Sequence, residues 1–330
     1  MTMLDGLRWR PRWVSHLGCL AGCLEYLGVE VSDAWLYGAT GHAFVMNIHE
    51  ALCPSGPTAW KSEVLHELAE AIGCRLERIE GDKRQPGFAD VQERAWEATQ
   101  RAIHERIPVY GWELDVPEYY VVNGYDDIGY YYNGPLCDDG AGPKPWRELG
   151  VTDIGWLAMY TVRLGETADD ASGGDAAVVK QALDFSVAMR NEPRRWALDH
   201  YAMGLEAYDW WIKALDDGRA GGLGMAYNAA VWAECRHYAA EFLVEARLHL
   251  QRKGSALPDA AFIAAIEAYS VVADNLRAVS ELFPFMVPHD EKDQNVSDPD
   301  CCAKGLLHLR SAKTAEAHGL HALEQIAAAL

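Results

Sequence analysis

The residues best suited to nucleophilic chemistry are a cysteine and two histidines near the N-terminus. Cys19 follows His16 by three residues at the predicted start of a helix, and His42 lies in a later glycine-containing turn. A thiol in the first turn of a helix lies near unsatisfied backbone N–H groups and the positive end of the helix dipole, which favour the thiolate. We therefore predict Cys19 as a nucleophile, with His16 or His42 as its base. A packed structural cysteine and a loop histidine are the alternatives.

A leucine pattern predicts the helix that carries Cys19. The leucines recur at spacings of three, four and three residues: Leu17, Leu20, Leu24 and Leu27. They form one apolar face of a helix that ends near Gly28. Cys23 lies at the edge of this face, whereas Cys19 lies further round the helix. The pattern therefore predicts that Cys19 points out of the core.

The segment after this helix contains a second candidate site. A short helix opened by Ser32 and Asp33 leads into the turn Gly-Ala-Thr-Gly-His, which ends at His42. Two glycines in four residues predict a tight turn whose backbone approaches another strand or a ligand. We therefore include Gly41 in the predicted binding site. Residues 43–48 are then predicted to form a strand, bracketed by His42 and His49.

The sequence patterns in the rest of the first half predict helices packed on a mainly antiparallel sheet. Residues 118–132 place two aromatic and β-branched runs around a polar turn, which is the pattern of a hairpin. Further strands are predicted at 75–79, 109–114 and 153–164. Amphipathic helices are predicted at 62–73 and 90–106. The predicted class is thus α+β, with this part of the chain forming a domain over residues 1–164.

The helical periodicity of the second half of the sequence predicts an all-α bundle. Residues 165–175 are acidic and rich in Gly, Ala and Ser, so they are predicted to be a linker. About five alanine-rich helical stretches joined by short loops follow in residues 176–330, as in an up-and-down bundle. The acidic segment 289–302 is predicted to be a mobile surface loop. Glu234, His237 and Glu241 share a helix face, but no second matching pair exists in the bundle, so neither a metal nor a cofactor is predicted.

Composition excludes several classes of protein. The chain of 330 residues has a formal net charge of -20 and no Lys/Arg cluster, so neither nucleic acid nor a membrane surface is a predicted partner. The N-terminus lacks a signal-peptide pattern and no long apolar run is present, which predicts a cytoplasmic protein. The eight cysteines lack CxxC spacing and are predicted to be free thiols. A homodimer is compatible with these features.

Three sequence pieces carry a resemblance to a known fold: SHLGCLAGCLEYLG, AWLYGATGHAF and YYVVNGYDDIGYYYNGP. Together they resemble the papain-like fold of bacteriocin-processing peptidases. They resemble more closely the N-terminal domain of the butirosin biosynthesis protein H family, an acyl-transfer branch of that superfamily. The resemblance covers roughly the first half of the chain. It implies a helix cysteine as nucleophile, a histidine at the start of the hairpin as base and an aspartate at its far end that orients the histidine.

The sequence departs from this pattern at two of the three positions. Glu118 stands where the histidine is expected, and Gly134, with Asn133 beside it, stands where the aspartate is expected. A carboxylate cannot form a thiolate–imidazolium pair, and its charge raises the pKa of a nearby thiol. Peptidase activity is therefore not expected. Glu118 is instead predicted to bind ligand, together with Tyr119, Asn123 and Gly41.

Two functions fit these observations. The first is thiol-dependent acyl transfer or amide chemistry through Cys19, on a small molecule of natural-product metabolism that is free or attached to a carrier protein. The second is a catalytically inactive protein with the same fold, which binds a small molecule in the same cleft. The negative charge of Glu118 favours a cationic ligand.

Overall fold

The structure, a computed structural model, describes residues 1–165, 174–253 and 258–330. The strands are β1 (Thr2–Met3), β2 (Asn47–His49), β3 (Cys74–Asp82), β4 (Val109–Trp112), β5 (Tyr119–Tyr125), β6 (Gly129–Gly134), β7 (Cys137–Pro145), β8 (Trp156–Leu164) and β9 (Tyr201–Met203). The α-helices are α1 (Ser15–Tyr26), α2 (Asp33–Ala39), α3 (Val64–Glu70), α4 (Phe88–His104), α5 (Gly174–Asn191), α6 (Leu205–Asp216), α7 (Gly222–Arg252), α8 (Asp259–Leu282), α9 (His289–Ser297) and α10 (Pro299–Ala329). This arrangement confirms the α+β class. Most of the predicted linker 165–175 lies outside the described residues.

The chain divides into two compact units. The sheet unit comprises Met1–Ser32 and Gly73–Glu166, and the helical unit comprises Asp33–Ile72 and Thr167–Leu330. The predicted domains, 1–164 and 176–330, differ from this division because the segment from Asp33 to Ile72 belongs with the helices. Within the helical unit, β2 pairs with β9 and α2 packs on α7. Both partners lie far along the chain, where a local sequence pattern does not reveal them.

The sheet unit is built on an antiparallel sheet in the order β3-β8-β4-β5-β6-β7, with β1 beside β5. Helix α1 packs on β4, β5 and β8. Its buried Leu17, Leu20 and Leu24 supply the predicted apolar face. The hairpin of β5 and β6 is confirmed, but β7 was not predicted because its sequence, CDDGAGPKP, is rich in residues that strands disfavour.

In the helical unit, α8 packs against α7 and α10, while α5 and α6 also pack on α10. The prediction of a surface loop at 289–302 is wrong, because these residues form α9 and the first turn of α10. Asp298 caps α10 by accepting a hydrogen bond from the backbone N–H of Cys301 at 2.9 Å. Helix α9 has no buried residue, so it lacks the apolar periodicity by which a helix is predicted.

The predicted strand over residues 43–48 is also wrong for its first part. Residues His42–Phe44 form a 3-10 turn, and only Asn47–His49 are a strand. The carbonyls of Ala43 and Val45 accept hydrogen bonds from the guanidinium of Arg236 at 2.8 and 2.7 Å. Because these carbonyls bind a side chain of α7, they are not used in a strand ladder.

The glycine turn makes a close approach as predicted, but to helices and not to the strand or ligand that was expected. A Cβ atom on Gly38 would lie 1.9 Å from Cγ of Phe242, which leaves no room for any other residue. Gly41 has a φ of 76°, and a Cβ there would lie 2.6 Å from the ring of Phe185. The backbone of this turn therefore approaches aromatic side chains of α5 and α7. Among the described residues, no helix is both long and apolar enough to cross a bilayer.

Candidate functional site

The start of helix α1 and the start of strand β5 are joined by a side-chain hydrogen bond. Ser15, the first residue of α1, donates its hydroxyl proton to the carboxylate of Glu118, immediately before β5. The backbone N–H of Tyr119 donates to the same hydroxyl oxygen at 3.1 Å. Ser15 is 3% exposed and Glu118 is partly exposed. Sequence reasoning missed Ser15, although a serine immediately before an apolar helical pattern is a recognisable signal of a helix start.

Cys19 lies deeper than predicted. The helix begins at Ser15, which makes Cys19 its fifth residue, and the thiol is completely buried. The expectation that Cys19 lies in the first turn and points out of the core is therefore wrong. Burial raises the pKa of the Cys19 thiol well above its usual value, and Cys23 and Glu118 raise it further. The environment of Cys19 thus favours the thiol over the thiolate.

Two further thiols of the sheet unit share this environment. Cys23 and Cys74 are buried, and burial raises the pKa of both, that of Cys74 to about 12. Cys53 and Cys301 are partly exposed, although partial burial and Asp298 also raise the pKa of the Cys301 thiol. All eight cysteines are free thiols, as predicted.

This difference in burial predicts the order in which the cysteines are alkylated. With iodoacetamide at about pH 7, we expect Cys301 to react at least about 10-fold faster than Cys19, because the reacting species is an accessible thiolate. The measurement is peptide mass spectrometry at a series of times. The unfolded protein in urea is the control, in which the two rates should converge. Faster alkylation of Cys19 in the folded protein would contradict the burial of its thiol and would support catalysis through Cys19.

His16 packs as an aromatic residue of the core. Its ring centroid lies 5.3 Å from that of Tyr110, 5.1 Å from that of Tyr119 and 6.0 Å from that of Tyr160, in edge-on geometry in each case. The side chain is 9% exposed. Tyr160 donates a hydrogen bond to Glu80 at 2.9 Å, which fixes one wall of this cluster. Tyr119, a predicted binding residue, is therefore part of the packing around His16.

Gly41 and His42 belong to the helical unit, whereas the other predicted site residues belong to the sheet unit. The ring of His42 packs edge-on against Trp60, with centroids 6.1 Å apart, and is 4% exposed. Burial lowers the pKa of His42 to about 3. The imidazole is thus neutral near neutral pH and has packing contacts of its own within the helical unit.

Asn123 lines a polar cavity in the sheet unit. The cavity has a volume of about 140 Å³, and its walls come from the N-terminal arm, β5, β6 and the start of β7: Met3, Leu4, Asp5, Gly6, Leu7, Arg8, Asn123, Asn133, Asp138 and Asp139. The side-chain oxygen of Asn123 is buried and accepts no hydrogen bond. Three carboxylates and one guanidinium line the cavity, so its charge is negative.

Asn133 holds the N-terminal arm next to this cavity. Its side-chain oxygen accepts a hydrogen bond from the backbone N–H of Trp9 at 2.6 Å. Its side-chain amide nitrogen donates to the carbonyl of Leu7 at 3.4 Å. The resemblance placed Asn133 beside the position of a histidine-orienting aspartate. In this structure the residue instead orders the arm that forms one wall of the cavity.

No protein-family model matches the sequence, and no curated protein matches it either.

On the helix face of Glu234, His237 and Glu241, two of the three side chains contact aromatic residues. Tyr37 donates a hydrogen bond to Glu234, and the ring of His237 lies 5.0 Å from that of Tyr238. Within residues 1–165, 174–253 and 258–330, no three His, Cys, Asp or Glu side chains are grouped so that they could hold a metal ion.

Proposed function

We propose that this protein binds a small, positively charged organic molecule and does not use a cysteine for catalysis. The observation that carries the proposal is the negatively charged cavity at Asn123, where a buried amide oxygen accepts no hydrogen bond. Unpaired buried acceptors cost free energy, and a ligand N–H group would satisfy this one. Ammonium groups supply such donors together with a complementary charge.

We propose further that the sheet unit is a papain-like domain with altered catalytic positions. The packing of α1 against an antiparallel sheet supports this, and so does the contact between Ser15 at the helix start and Glu118 at the strand start. The burial of Cys19 and the raised pKa of its thiol favour the inactive, ligand-binding form. Thiol-dependent acyl transfer through Cys19 is correspondingly less well supported.

The charges in the cavity narrow the class of ligand. The carboxylates of Asp5, Asp138 and Asp139 are exposed at its rim, and Arg8 is the one cation among its lining residues. Asp5 belongs to the N-terminal arm, whereas Asp138 and Asp139 are consecutive residues of β7, so two segments of the chain supply the negative charge. A linear diamine or polyamine, with charges separated by methylene groups, fits this distribution.

Binding of putrescine and spermidine tests the proposal. We expect each amine to raise the melting temperature of the full chain, and calorimetry to give a dissociation constant that weakens as salt is added. The double variant Asp138→Asn/Asp139→Asn should weaken binding by about 10-fold or more, because two of the three carboxylates are lost. These side chains are exposed, so the fold should persist.

The matched control is Asp153→Asn, an exposed carboxylate of the sheet unit outside the cavity, which should leave amine binding unchanged. Magnesium at equal ionic strength is the control for simple charge screening. Equal stabilisation by magnesium and spermidine would refute a specific site for amines in this cavity. Equal amine binding by the double variant and the Asp153→Asn variant would refute it as well.

A further inference from the structure

A serine and a carboxylate meet in the sheet unit in the arrangement of a nucleophile and its base. We propose that Ser15 is an acyl-accepting nucleophile and that Glu118 is its general base. This inference goes beyond the binding function proposed above and does not depend on the cavity at Asn123. It rests on the two hydrogen bonds of the Ser15 hydroxyl and on its position at the first residue of α1.

The hydrogen bonds orient the hydroxyl for attack. The Ser15 O–H points at the carboxylate of Glu118, so its proton has an acceptor at hydrogen-bond distance. The N–H of Tyr119 occupies one lone pair of the hydroxyl oxygen at 3.1 Å. The second lone pair remains for bond formation with an electrophilic carbon. Because Glu118 is partly exposed while Ser15 is buried, a substrate would approach from the side of the carboxylate.

The N-terminus of α1 supplies the electrostatic component. This helix has 12 residues, its N-cap residue Val14 provides no side-chain cap, and no acidic residue lies in its first turn. The positive end of the helix dipole therefore lies near the Ser15 hydroxyl, and Glu118 is a carboxylate that lies at this helix start. Backbone N–H groups at a helix start stabilise the negative oxygen that develops during acyl transfer.

The proposed reaction transfers an acyl group from an ester or thioester to Ser15. The Ser15 oxygen forms a bond to the carbonyl carbon of an ester or thioester while its proton passes to Glu118. The bond from that carbon to the leaving group then breaks, and the alcohol or thiol leaves with the proton from Glu118. An acyl-serine ester remains, and water hydrolyses it to a carboxylic acid and restores the Ser15 hydroxyl. A carboxylate is a weaker base than imidazole, so the substrate class is an activated ester or thioester and not a peptide.

A fluorophosphonate probe tests whether Ser15 is a nucleophile. The probe forms a covalent bond to an activated serine oxygen and releases fluoride. With the full chain, we expect mass spectrometry to find the adduct on the peptide that contains Ser15. Ser15→Ala should abolish it, and Glu118→Gln should slow its formation by about 100-fold, the scale of general base catalysis. The matched control, Ser270→Ala on the exposed face of α8, should leave the labelling rate unchanged.

A purely structural role for the pair makes a different prediction. If the hydrogen bond only joins α1 to β5, its loss lowers stability, but no adduct forms at Ser15 in the unaltered protein. Absence of that adduct, or equal labelling rates with and without Glu118→Gln, would overturn the proposal.

A second variant addresses access to the site even if Ser15→Ala does not fold. Ser15→Cys places a thiol, which is slightly larger than the hydroxyl and a weaker hydrogen-bond donor, at the same position. In folded protein, we expect iodoacetamide to alkylate the introduced thiol at least about 10-fold faster than Cys19, which lies one turn deeper. An introduced thiol that reacts no faster than Cys19 would show that small electrophiles do not reach this position, and the proposal would fall.

Discussion

Replacing Arg236 by methionine is expected to lower the free energy of unfolding by about 3–5 kcal/mol, the usual cost of removing one partner of a buried ion pair. Arg236 is 0% exposed, and its guanidinium donates to Glu316 at 2.7 Å. Glu316 is 2% exposed and also accepts a hydrogen bond from Tyr208 at 2.9 Å. The substitution would leave a carboxylate in an apolar interior without its cation.

The same substitution removes the donors for three backbone carbonyls. Arg236 binds the carbonyls of Ala43, Phe44 and Val45 at 2.8, 3.3 and 2.7 Å. Buried carbonyls that lose their partner each cost on the order of 1 kcal/mol or more. The turn that begins at His42 should therefore loosen along with the ion pair, and amide hydrogen exchange in residues 42–46 should accelerate.

Urea denaturation followed by tryptophan fluorescence measures this loss. The double variant Arg236→Met/Glu316→Leu should be more stable than Arg236→Met alone, because it leaves no unpaired charge. Arg190→Met is the matched control: its partner Glu324 lies 3.2 Å away, but both side chains are at least partly exposed, so a change below about 1 kcal/mol is expected. A similarly small change for Arg236→Met would contradict a structural role for the buried pair.

The second large effect is a loss of stability in acid that depends on His42. Burial lowers the pKa of this imidazole to about 3 in the folded protein, against about 6.5 in an unfolded chain. Between these values the unfolded state binds a proton that the folded state does not. Stability should therefore fall as the pH is lowered from about 6.5 to 3, by about 1.4 kcal/mol per pH unit from this group. Below about pH 3 its contribution to the slope ends.

The comparison that isolates this group is the pH dependence of the unfolding free energy in the protein and in His42→Phe. Between about pH 7 and pH 4, the unaltered protein should lose about 3 kcal/mol more than the variant, because phenylalanine does not titrate. His318→Gln, at an exposed position of α10, is the matched control and should keep the acid sensitivity of the unaltered protein. Parallel stability curves for the protein and His42→Phe would show that His42 is accessible to protons in the folded state.

Several features of the sheet unit could be predicted from the sequence because their signals are local. The leucine spacing predicts α1, and the buried faces of Leu17, Leu20 and Leu24 agree with it. The aromatic runs around the turn at 126–127 predict the hairpin of β5 and β6. The alanine-rich helices of the second half follow from the same kind of periodicity. In each case neighbouring residues decide both the conformation and the face that is buried.

The candidate site could not be predicted in the same way. Whether Cys19 is reactive depends on where α1 starts and on the side chains that cover the thiol, and the structure buries it completely. Ser15 becomes a candidate nucleophile only because Glu118, 103 residues away, accepts a hydrogen bond from its hydroxyl. The cavity at Asn123 depends on β7 and on the N-terminal arm, neither of which has a strong local pattern.

By itself, the sequence determined the α+β class, the main helices, the hairpin and the acidic charge of this protein. Only the tertiary structure decided which thiol is accessible, which hydroxyl meets a carboxylate and which unit contains residues 33–72. The clearest case is the segment of Ala43, Phe44 and Val45, whose carbonyls bind an arginine 191 to 193 residues further along the chain. Local periodicity carries information about neighbours in sequence, whereas burial, pKa and hydrogen-bond partners depend on residues that only folding brings together.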